Sequence, residues 1–334
     1  MRVVVAPDKF KGSLSAAEVA RALVDGVRDI VPDADCATIP MADGGDGTVE
    51  AFLSAGATPR TVRVRGPLGK PVDATYARYG DTAVAEMAAA SGFAIANGTR
   101  DARGATTYGT GELLRDALDQ GARRIVLGIG GSATTDGGAG ALAALGVRFF
   151  DASGKELEAV PRALGALARV DLSALDERLR QTDLAIACDV DNPLTGAQGA
   201  AAVYGPQKGA SPEDVTFLDG VLTRLADAVA AETGRDLRTL PGAGAAGGLG
   251  WALASTAGAR LQRGVALVAE VRGLANALAG ASLCLTGEGA IDVQTGFWMD
   301  SNDARSSRGK IADQSVNRGC HQMNIKGGFD TLLA

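Results

Sequence analysis

The residues best suited to chemistry lie in four short loops that mix carboxylates with glycine. Each comes at the end of a segment of strand character, and the four are Ala42–Thr48, Thr134–Gly138, Asp189–Asn192 and Gly287–Asp292. Ligands of open α/β sheets bind beyond the carboxyl ends of the strands. Glycine lets backbone N–H groups approach an anion, and carboxylates beside a phosphate require a bridging cation such as Mg²⁺. The pattern therefore predicts phosphoryl transfer at these strand ends.

Three lysines accompany the acidic loops and supply balancing positive charge. Lys9 and Lys11 lie in PDKFKGS, and Lys208 lies in GPQKG. Each motif taken singly permits a simpler interpretation, because Asp-Gly is common in turns and Ser132 or Thr134 can cap a helix. The joint occurrence of acidic loops and lysines is what favours a catalytic role.

Composition excludes several other classes of function. A single histidine, His321, argues against a Ser-His-Asp triad or a histidine-rich zinc site, and no Gly-x4-Gly-Lys-Ser/Thr motif occurs. The net charge of −6 predicts no nucleic-acid partner. We expect no membrane span, because no long uncharged apolar run occurs. Four widely spaced cysteines and the absence of a signal-like start predict a cytoplasmic protein.

A dinucleotide site is the first alternative. Gly128-x-Gly130-x-x-Ala133 follows a strand-like run, with Asp151 about 20 residues further on, as in NAD-binding folds. Gly242-x-Gly244-x-x-Gly247 also matches, but it follows Thr-Leu-Pro and not a strand. An NAD(P)-dependent dehydrogenase that uses the Gly128–Ala133 loop therefore stays an open alternative.

The surrounding elements are those of an α/β protein. The sequence predicts a strand over Arg2–Ala6, a helix over Ser15–Val27 with a capping box from Ser15 to Glu18, and a strand over Ala37–Pro40. Strands that alternate with helices indicate a parallel sheet. From Arg60 the segments TVRVRG, PVDATYARYG and TAVAEMA alternate apolar and polar residues, which predicts antiparallel strands in a different subdomain.

At these motifs the chain resembles the type I glycerate kinases of bacteria. The matching segments are APDKFKGSLSA (6–16), PMADGGDGT (40–48), GIGGSATTDGG (128–138), CDVDNPLTGAQGAAAVYGPQKGA (188–210), PGAGAAGGLG (241–250) and LTGEGAID (285–292). The resemblance implies two α/β domains, one Rossmann- or flavodoxin-like with a parallel sheet (1–60 plus 275–334) and one inserted into it with a mixed sheet (61–274). It also implies an active site in the cleft between them.

The resemblance further implies a kinase that uses Mg²⁺ and ATP to phosphorylate D-glycerate, with 2-phosphoglycerate as the usual product. The expected catalytic residues are Asp43, Asp46, Lys9 and Lys11. The expected substrate- or phosphate-binding residues are Gly44, Gly45, Gly47, Gly130, Gly131, Ser132, Thr134 and Lys208. Asp189 or Asp191 is expected to coordinate Mg²⁺, Asp43 or Asp46 to act as base, and Glu288 to be a second metal or base candidate.

The segment after Thr295 departs from the family pattern. The usual turn, helix and final strand are not recognisable in residues 296–334, which we expect to weaken stability and activity. A non-catalytic or degenerate glycerate-binding protein is therefore the second alternative. The sequence leaves the oligomeric state open, with a homodimer as one possibility.

Overall fold

The computed structural model describes residues 1–10, 12–288 and 322–324. The chain divides into two compact units: unit 1 comprises Met1–Asp43 and Val268–Ala334, and unit 2 comprises Gly44–Leu267. Unit 2 is thus inserted between two segments of unit 1. The domain boundaries expected from the sequence, at residues 60/61 and 274/275, stay a prediction. The departure expected in residues 296–334 lies outside the described residues, apart from the strand Gln322–Asn324.

The described segments form both strands and helices. The strands are β1 (Arg2–Val5), β2 (Asp35–Thr38), β3 (Thr58–Arg65), β4 (Pro71–Tyr79), β5 (Thr82–Glu86), β6 (Arg124–Gly128), β7 (Arg148–Asp151), β8 (Glu156–Leu157), β9 (Leu167–Asp171), β10 (Asp183–Ala187), β11 (Arg260–Gln262), β12 (Leu283–Thr286) and β13 (Gln322–Asn324). The helices are α1 (Ala16–Ile30), α2 (Thr48–Leu53), α3 (Ala88–Ser91), α4 (Phe93–Ala96), α5 (Tyr108–Asp119), α6 (Ala139–Ala144), α7 (Pro161–Leu164), α8 (Arg178–Gln181), α9 (Ala200–Tyr204), α10 (Pro212–Thr233), α11 (Leu249–Ala257), α12 (Gly264–Val271) and α13 (Leu274–Leu278).

Unit 1 is built on a parallel sheet. Its strand order is β13-β12-β1-β2, and each neighbouring pair is parallel. Val3 of the central strand β1 lies opposite Cys36 of β2 and Leu283 of β12. β2 starts at Asp35, two residues before the predicted start, because Asp35 already pairs with Arg2. The strand ends of β1, β2 and β12 therefore face the same edge of the sheet.

Helix α1 covers this sheet through an apolar face. Ala20 and Val24 on the helix are buried in one cluster with Val3 and Val5 of β1. The helix begins at a complete capping box: Ser15 Oγ accepts the N–H of Glu18 at 3.3 Å, and Glu18 Oε2 accepts the N–H of Ser15 at 2.8 Å. The predicted capping box is confirmed, and it fixes where the loop after β1 turns into the helix.

Unit 2 is built on a mixed sheet. The strand order is β11-β10-β6-β5-β4-β3, in which β3, β4 and β5 pair antiparallel while β5, β6, β10 and β11 pair parallel. A second, three-stranded antiparallel sheet has the order β8-β7-β9. The predicted α/β fold, with a parallel sheet and an inserted mixed sheet, is confirmed. The core of unit 2 consists mainly of aliphatic and alanine side chains, with Trp251 its largest fully buried residue.

Removing the cap of α1 should weaken unit 1. Ser15→Ala deletes the acceptor for the Glu18 amide, so we expect the free energy of unfolding to fall by about 1 kcal/mol in urea titrations. Ser282→Ala is the matched control, because Ser282 is exposed in the same unit and its hydroxyl makes no hydrogen bond within the described residues. Equal effects of the two variants would contradict a stabilising cap.

Candidate active site

In unit 1, backbone hydrogen bonds tie together the loops that follow three parallel strands. The N–H of Asp8, after β1, donates to the carbonyl of Gly287, after β12, at 2.8 Å. The N–H of Met41, after β2, donates to the carbonyl of Pro7 at 2.8 Å. The expected site residues Lys9, Asp43 and Glu288 follow in these same three loops, and all three are half-buried. Lys11 lies outside the described residues.

Asp8 is a residue of this edge that the sequence analysis missed. It is half-buried, and its Oδ1 accepts the N–H of Lys9 at 2.6 Å. Burial raises the pKa of Asp8 to about 6, and the negative charges of Asp43 and Glu288 add to the rise. Three carboxylates thus interact at the carboxyl ends of β1, β2 and β12. The sequence feature that could have identified Asp8 as a site residue is its position beside Lys9 in the same loop.

In unit 2, the loop Gly44–Gly47 packs against the ends of β6 and β10. A Cβ on Gly44 would collide with Ala187 at the end of β10, and a Cβ on Gly128 would collide with the carbonyl of Gly44. Gly44 also has φ +82°, a conformation that favours glycine. Bare backbone at these positions brings three strand-end segments into contact.

The same loop leads directly into helix α2. Gly47, at φ +93°, is its N-cap, and Glu86 at the end of β5 accepts the N–H of Val49 at 2.7 Å. Asp46 is exposed at the tip of the loop, and Gly45 and Gly47 are half-buried. A Cβ on Gly130 would approach the Cα of Gly45 to 3.1 Å. The expected binding glycines Gly45 and Gly130 are therefore neighbours.

The loop after β6 changes from exposed to buried along its length. Gly130 and Gly131 are exposed, whereas Ser132 and Thr134 are buried. Lys208 Nζ donates to Ser132 Oγ at 2.8 Å and to the Thr134 carbonyl at 2.5 Å. Burial lowers the pKa of Lys208 to about 7, and the charge of Asp136 opposes this shift. The lysine and the loop expected to bind phosphate are thus bonded to each other.

Asp136 fixes the far end of that loop; the sequence analysis counted its carboxylate among the acidic strand-end loops but gave it no individual role. It is fully buried, and its carboxylate accepts the N–H groups of Thr107 at 2.7 Å, Gly138 at 3.1 Å and Gly140 at 3.2 Å. Thr107 is the N-cap of α5, and Gly138 is the N-cap of α6. Burial raises the pKa of Asp136, while these hydrogen bonds oppose the rise. One carboxylate therefore satisfies amides at the starts of two helices.

The two aspartates after β10 have different surroundings. Asp189 is half-buried, and its Oδ1 accepts the N–H of Gly264 at 3.1 Å. Asp191 is exposed and forms an ion pair with Arg263 at 3.0 Å. In the part of the chain that the structure describes, no group of three His, Cys, Asp or Glu side chains could hold a metal ion. Mg²⁺ often binds through one or two carboxylates, water and substrate phosphates, so this donor set fits Mg²⁺ held with a nucleotide.

The residues of the two dinucleotide-like matches have structural partners. Asp151, the expected ribose ligand, accepts the N–H groups of Ser153 at 2.8 Å and Lys155 at 3.0 Å and closes their turn. A Cβ on Gly247 would collide with the carbonyl of Thr134, and the Gly247 carbonyl accepts the N–H of Gly137 at 2.8 Å. The second glycine-rich segment therefore packs behind the loop after β6.

The chain belongs to the glycerate kinase family, whose model matches residues 3–297. The predicted class of enzyme, a kinase that transfers a phosphoryl group to an alcohol, is confirmed by this membership. Within the described residues, none of the helices has the length and apolar character needed to cross a membrane.

Individual relatives agree with the family. The chain is 49% identical over 300 residues to the glycerate kinase of Bacillus subtilis (strain 168), covering 88% of this chain and 78% of the relative. It is 46% identical over 300 residues to the glycerate 2-kinase of Escherichia coli (strain K12), with the same coverage of both chains. A crystal structure from Salmonella typhimurium LT2, assigned to glycerate kinase 2, superimposes with a TM-score of 0.89 at 46% identity, covering 98% of this chain and 86% of the other.

Filling the contact made by Gly44 should destabilise unit 2. Gly44→Ala and Gly69→Ala both place alanine at positive φ, but only Gly44 also meets a neighbouring side chain, since nothing lies within 4 Å of a Cβ on Gly69. We expect Gly44→Ala to reduce the free energy of unfolding by about 1–3 kcal/mol more than Gly69→Ala, in urea titrations. Equal losses would show that the close approach to Ala187 is unimportant.

The raised pKa of Asp8 predicts a pH dependence of stability. Between the unfolded value near 3.8 and the folded value of about 6, the native state keeps a proton that the unfolded chain has lost. Stability should therefore fall as pH rises through this window, by about 1–3 kcal/mol from this group, in the absence of Mg²⁺.

Asp8→Asn cannot ionise, so it should remove that fall and be more stable than the wild type above pH 6. Thermal melts from pH 4 to 7 measure the effect. Asp33→Asn, an exposed position in the same unit, should keep the wild-type slope. A wild-type slope in Asp8→Asn would refute the assignment.

Proposed function

We propose that the chain is an ATP-dependent kinase that phosphorylates D-glycerate to 2-phosphoglycerate. The observation that carries the proposal is membership of the glycerate kinase family over residues 3–297. The position of the phosphorylated hydroxyl is supported by the relative from Escherichia coli that is named glycerate 2-kinase. In this proposal the protein binds D-glycerate and ATP and works in the cytoplasm. A homodimer is the assembly that we propose.

For unit 1 we assign the acid–base work. Asp43 lies in the loop after β2, half-buried and in electrostatic contact with Asp8. A carboxylate in such a position can orient the attacking hydroxyl and accept its proton. Lys9, in the loop after β1, neutralises charge on the transferred group, with Lys11 in the same role. Glu288 is a second base or metal candidate.

For unit 2 we assign anion binding. The loops Gly44–Gly47 and Gly130–Thr134 leave backbone accessible at Gly45–Gly47 and Gly130–Gly131, where an anionic oxygen can approach, and Asp46 in the first loop is the alternative base. Positioning and charge stabilisation carry most of a phosphoryl transfer, so rigid loops suit this chemistry. Gly44 is held in place by its close contacts with Ala187 and Gly128, and Gly130 lies against Gly45.

Asp189 is the preferred residue to hold Mg²⁺, with Asp191 as the alternative. Asp191 is exposed and forms an ion pair with Arg263, whereas Asp189 is half-buried and its Oδ1 is oriented by the N–H of Gly264. When bound with the nucleotide, Mg²⁺ would neutralise charge on its phosphates. The protein's own contribution is to hold a carboxylate oriented by a backbone N–H.

The deciding experiment is ADP release on D-glycerate, measured with coupling enzymes. The kinase requires ADP formation that depends on both ATP and D-glycerate. Enolase, which acts on 2-phosphoglycerate, then identifies the product. Absence of ADP release together with D-glycerate binding would favour a degenerate glycerate-binding protein. NADH binding through the Gly128–Ala133 loop, detected by energy transfer from Trp251, would favour the dehydrogenase.

Replacing Asp189 tests its role in binding Mg²⁺. We expect Asp189→Asn to lower kcat by more than about tenfold and to raise the Mg²⁺ concentration needed for half-maximal activity. Asp219→Asn is the matched control, because Asp219 is also half-buried in unit 2 and also accepts a backbone N–H, from Gly196 at 2.8 Å. An unchanged magnesium titration in Asp189→Asn would remove this residue from the metal role.

A further inference from the structure

Lys208 differs from an ordinary surface lysine because the fold buries it completely. Lys208 is 2% exposed and Asp136 is 0% exposed, and these two are the charged residues that the fold buries within the described part of the chain. Lys208 ends the short 3₁₀ helix Pro206–Lys208, which follows α9. Burying an ammonium costs free energy unless its N–H groups donate hydrogen bonds. The two hydrogen bonds from Lys208 to the loop after β6 offset part of this cost.

The protonated form of Lys208 fixes the direction of these hydrogen bonds. Below its lowered pKa of about 7, Lys208 is an ammonium with three donors and no acceptor, so in this form the Ser132 hydroxyl accepts in its 2.8 Å bond with Lys208. Ser132 therefore keeps its own proton for another acceptor. Among the residues that the structure describes, Ser132 Oγ makes no further hydrogen bond. Ser132 as a whole residue is 7% exposed, and it directly follows the exposed Gly130 and Gly131 in the chain.

A hydroxyl that accepts from a cation becomes a stronger donor. Hydrogen bonds in a chain polarise one another, and the effect is larger in a buried environment than in water. The Ser132 O–H is therefore suited to donate to an anionic oxygen. Hydrogen bonds in which one partner is charged are stronger than those between neutral groups. The second bond of Lys208, to the Thr134 carbonyl at 2.5 Å, holds the backbone of the same loop in place.

We propose that Lys208 is a positioning residue for the kinase reaction: it orients the Ser132 hydroxyl toward an anionic oxygen of the substrate and does not contact that oxygen itself. The inference rests on the proposed function, and the oxygen belongs to the carboxylate of D-glycerate or to a phosphate of ATP. The expectation from the sequence, in which Lys208 binds phosphate directly, is the competing outcome.

A double-mutant cycle separates the two roles. We expect Ser132→Ala to raise the KM for one substrate, D-glycerate or ATP, by about 10–100-fold while kcat changes by less than about threefold. Lys208→Met should raise the same KM, and the double variant should be no worse than the more impaired single variant. Multiplied effects would show that Lys208 and Ser132 contact the ligand independently, and they would overturn the proposal.

Two further variants distinguish loss of the Ser132 hydroxyl from a general disturbance of the structure. Ser132→Thr keeps the hydroxyl and should recover most of the lost affinity. Ser255→Ala removes another buried serine of unit 2, which is 3% exposed and has no hydrogen-bond partner for its hydroxyl within the described ranges, and should leave both KM values unchanged. If Lys208→Met does not fold, judged by circular dichroism, the two Ser132 variants decide: a wild-type KM in Ser132→Ala overturns the proposal.

Direct binding distinguishes failure of this inference from failure of the proposed function. Calorimetric titrations of the intact protein with D-glycerate, and separately with Mg²⁺ and ATP, need no turnover. If the wild type releases no ADP, a loss of affinity of about tenfold or more in Ser132→Ala still supports the inference. Equal affinities in the two proteins, or no binding of either substrate by the wild type, overturn it.

Discussion

The geometry of unit 2 depends most on the hydrogen bonds that the carboxylate of Asp136 accepts. It accepts amides at the starts of α5 and α6, and the Thr107 hydroxyl donates to it at 2.8 Å while accepting the N–H of Ala141 at 2.9 Å. Helix starts leave unpaired N–H groups, which are costly when buried. Because the Asp136 carboxylate accepts N–H groups at the starts of two helices, the loop that leads to it has little freedom to rearrange. Lys208, the second buried charge, then meets a loop whose far end is already fixed.

The absence of a Cβ atom at two glycine positions is the second constraint on the geometry of unit 2. Gly44 and Gly128 allow the end of β6, the end of β10 and the acidic loop to approach at backbone distance, which any Cβ would prevent. The cost is conformational freedom lost on folding, which is greatest for glycine. At Gly44 and Gly128 that cost is offset by the close packing that the missing Cβ atoms allow.

The sequence predicted features that depend on local patterns. The capping box of α1 joins Ser15 and Glu18, three residues apart, and the alternation of apolar and polar residues in β3 is visible within the strand. Features that join distant residues were missed. Asp136 and Thr107 are 29 residues apart, and Lys208 and Ser132 are 76 apart, so no periodicity connects them. Burial of a lysine is also contrary to what its residue type predicts.

Complete burial holds the charge of Lys208 in one fixed position. A lysine exposed in a binding site would be hydrated and mobile, and each turnover would have to reorder it. An ammonium held by Ser132 and the Thr134 carbonyl is already ordered, and its field acts through a hydroxyl whose position is set by the fold. Such preorganised dipoles stabilise developing charge without reorganisation at the moment of reaction. The carboxylates of unit 1 are arranged differently: Asp8, Asp43 and Glu288 are only half-buried, so solvent and protons can reach them.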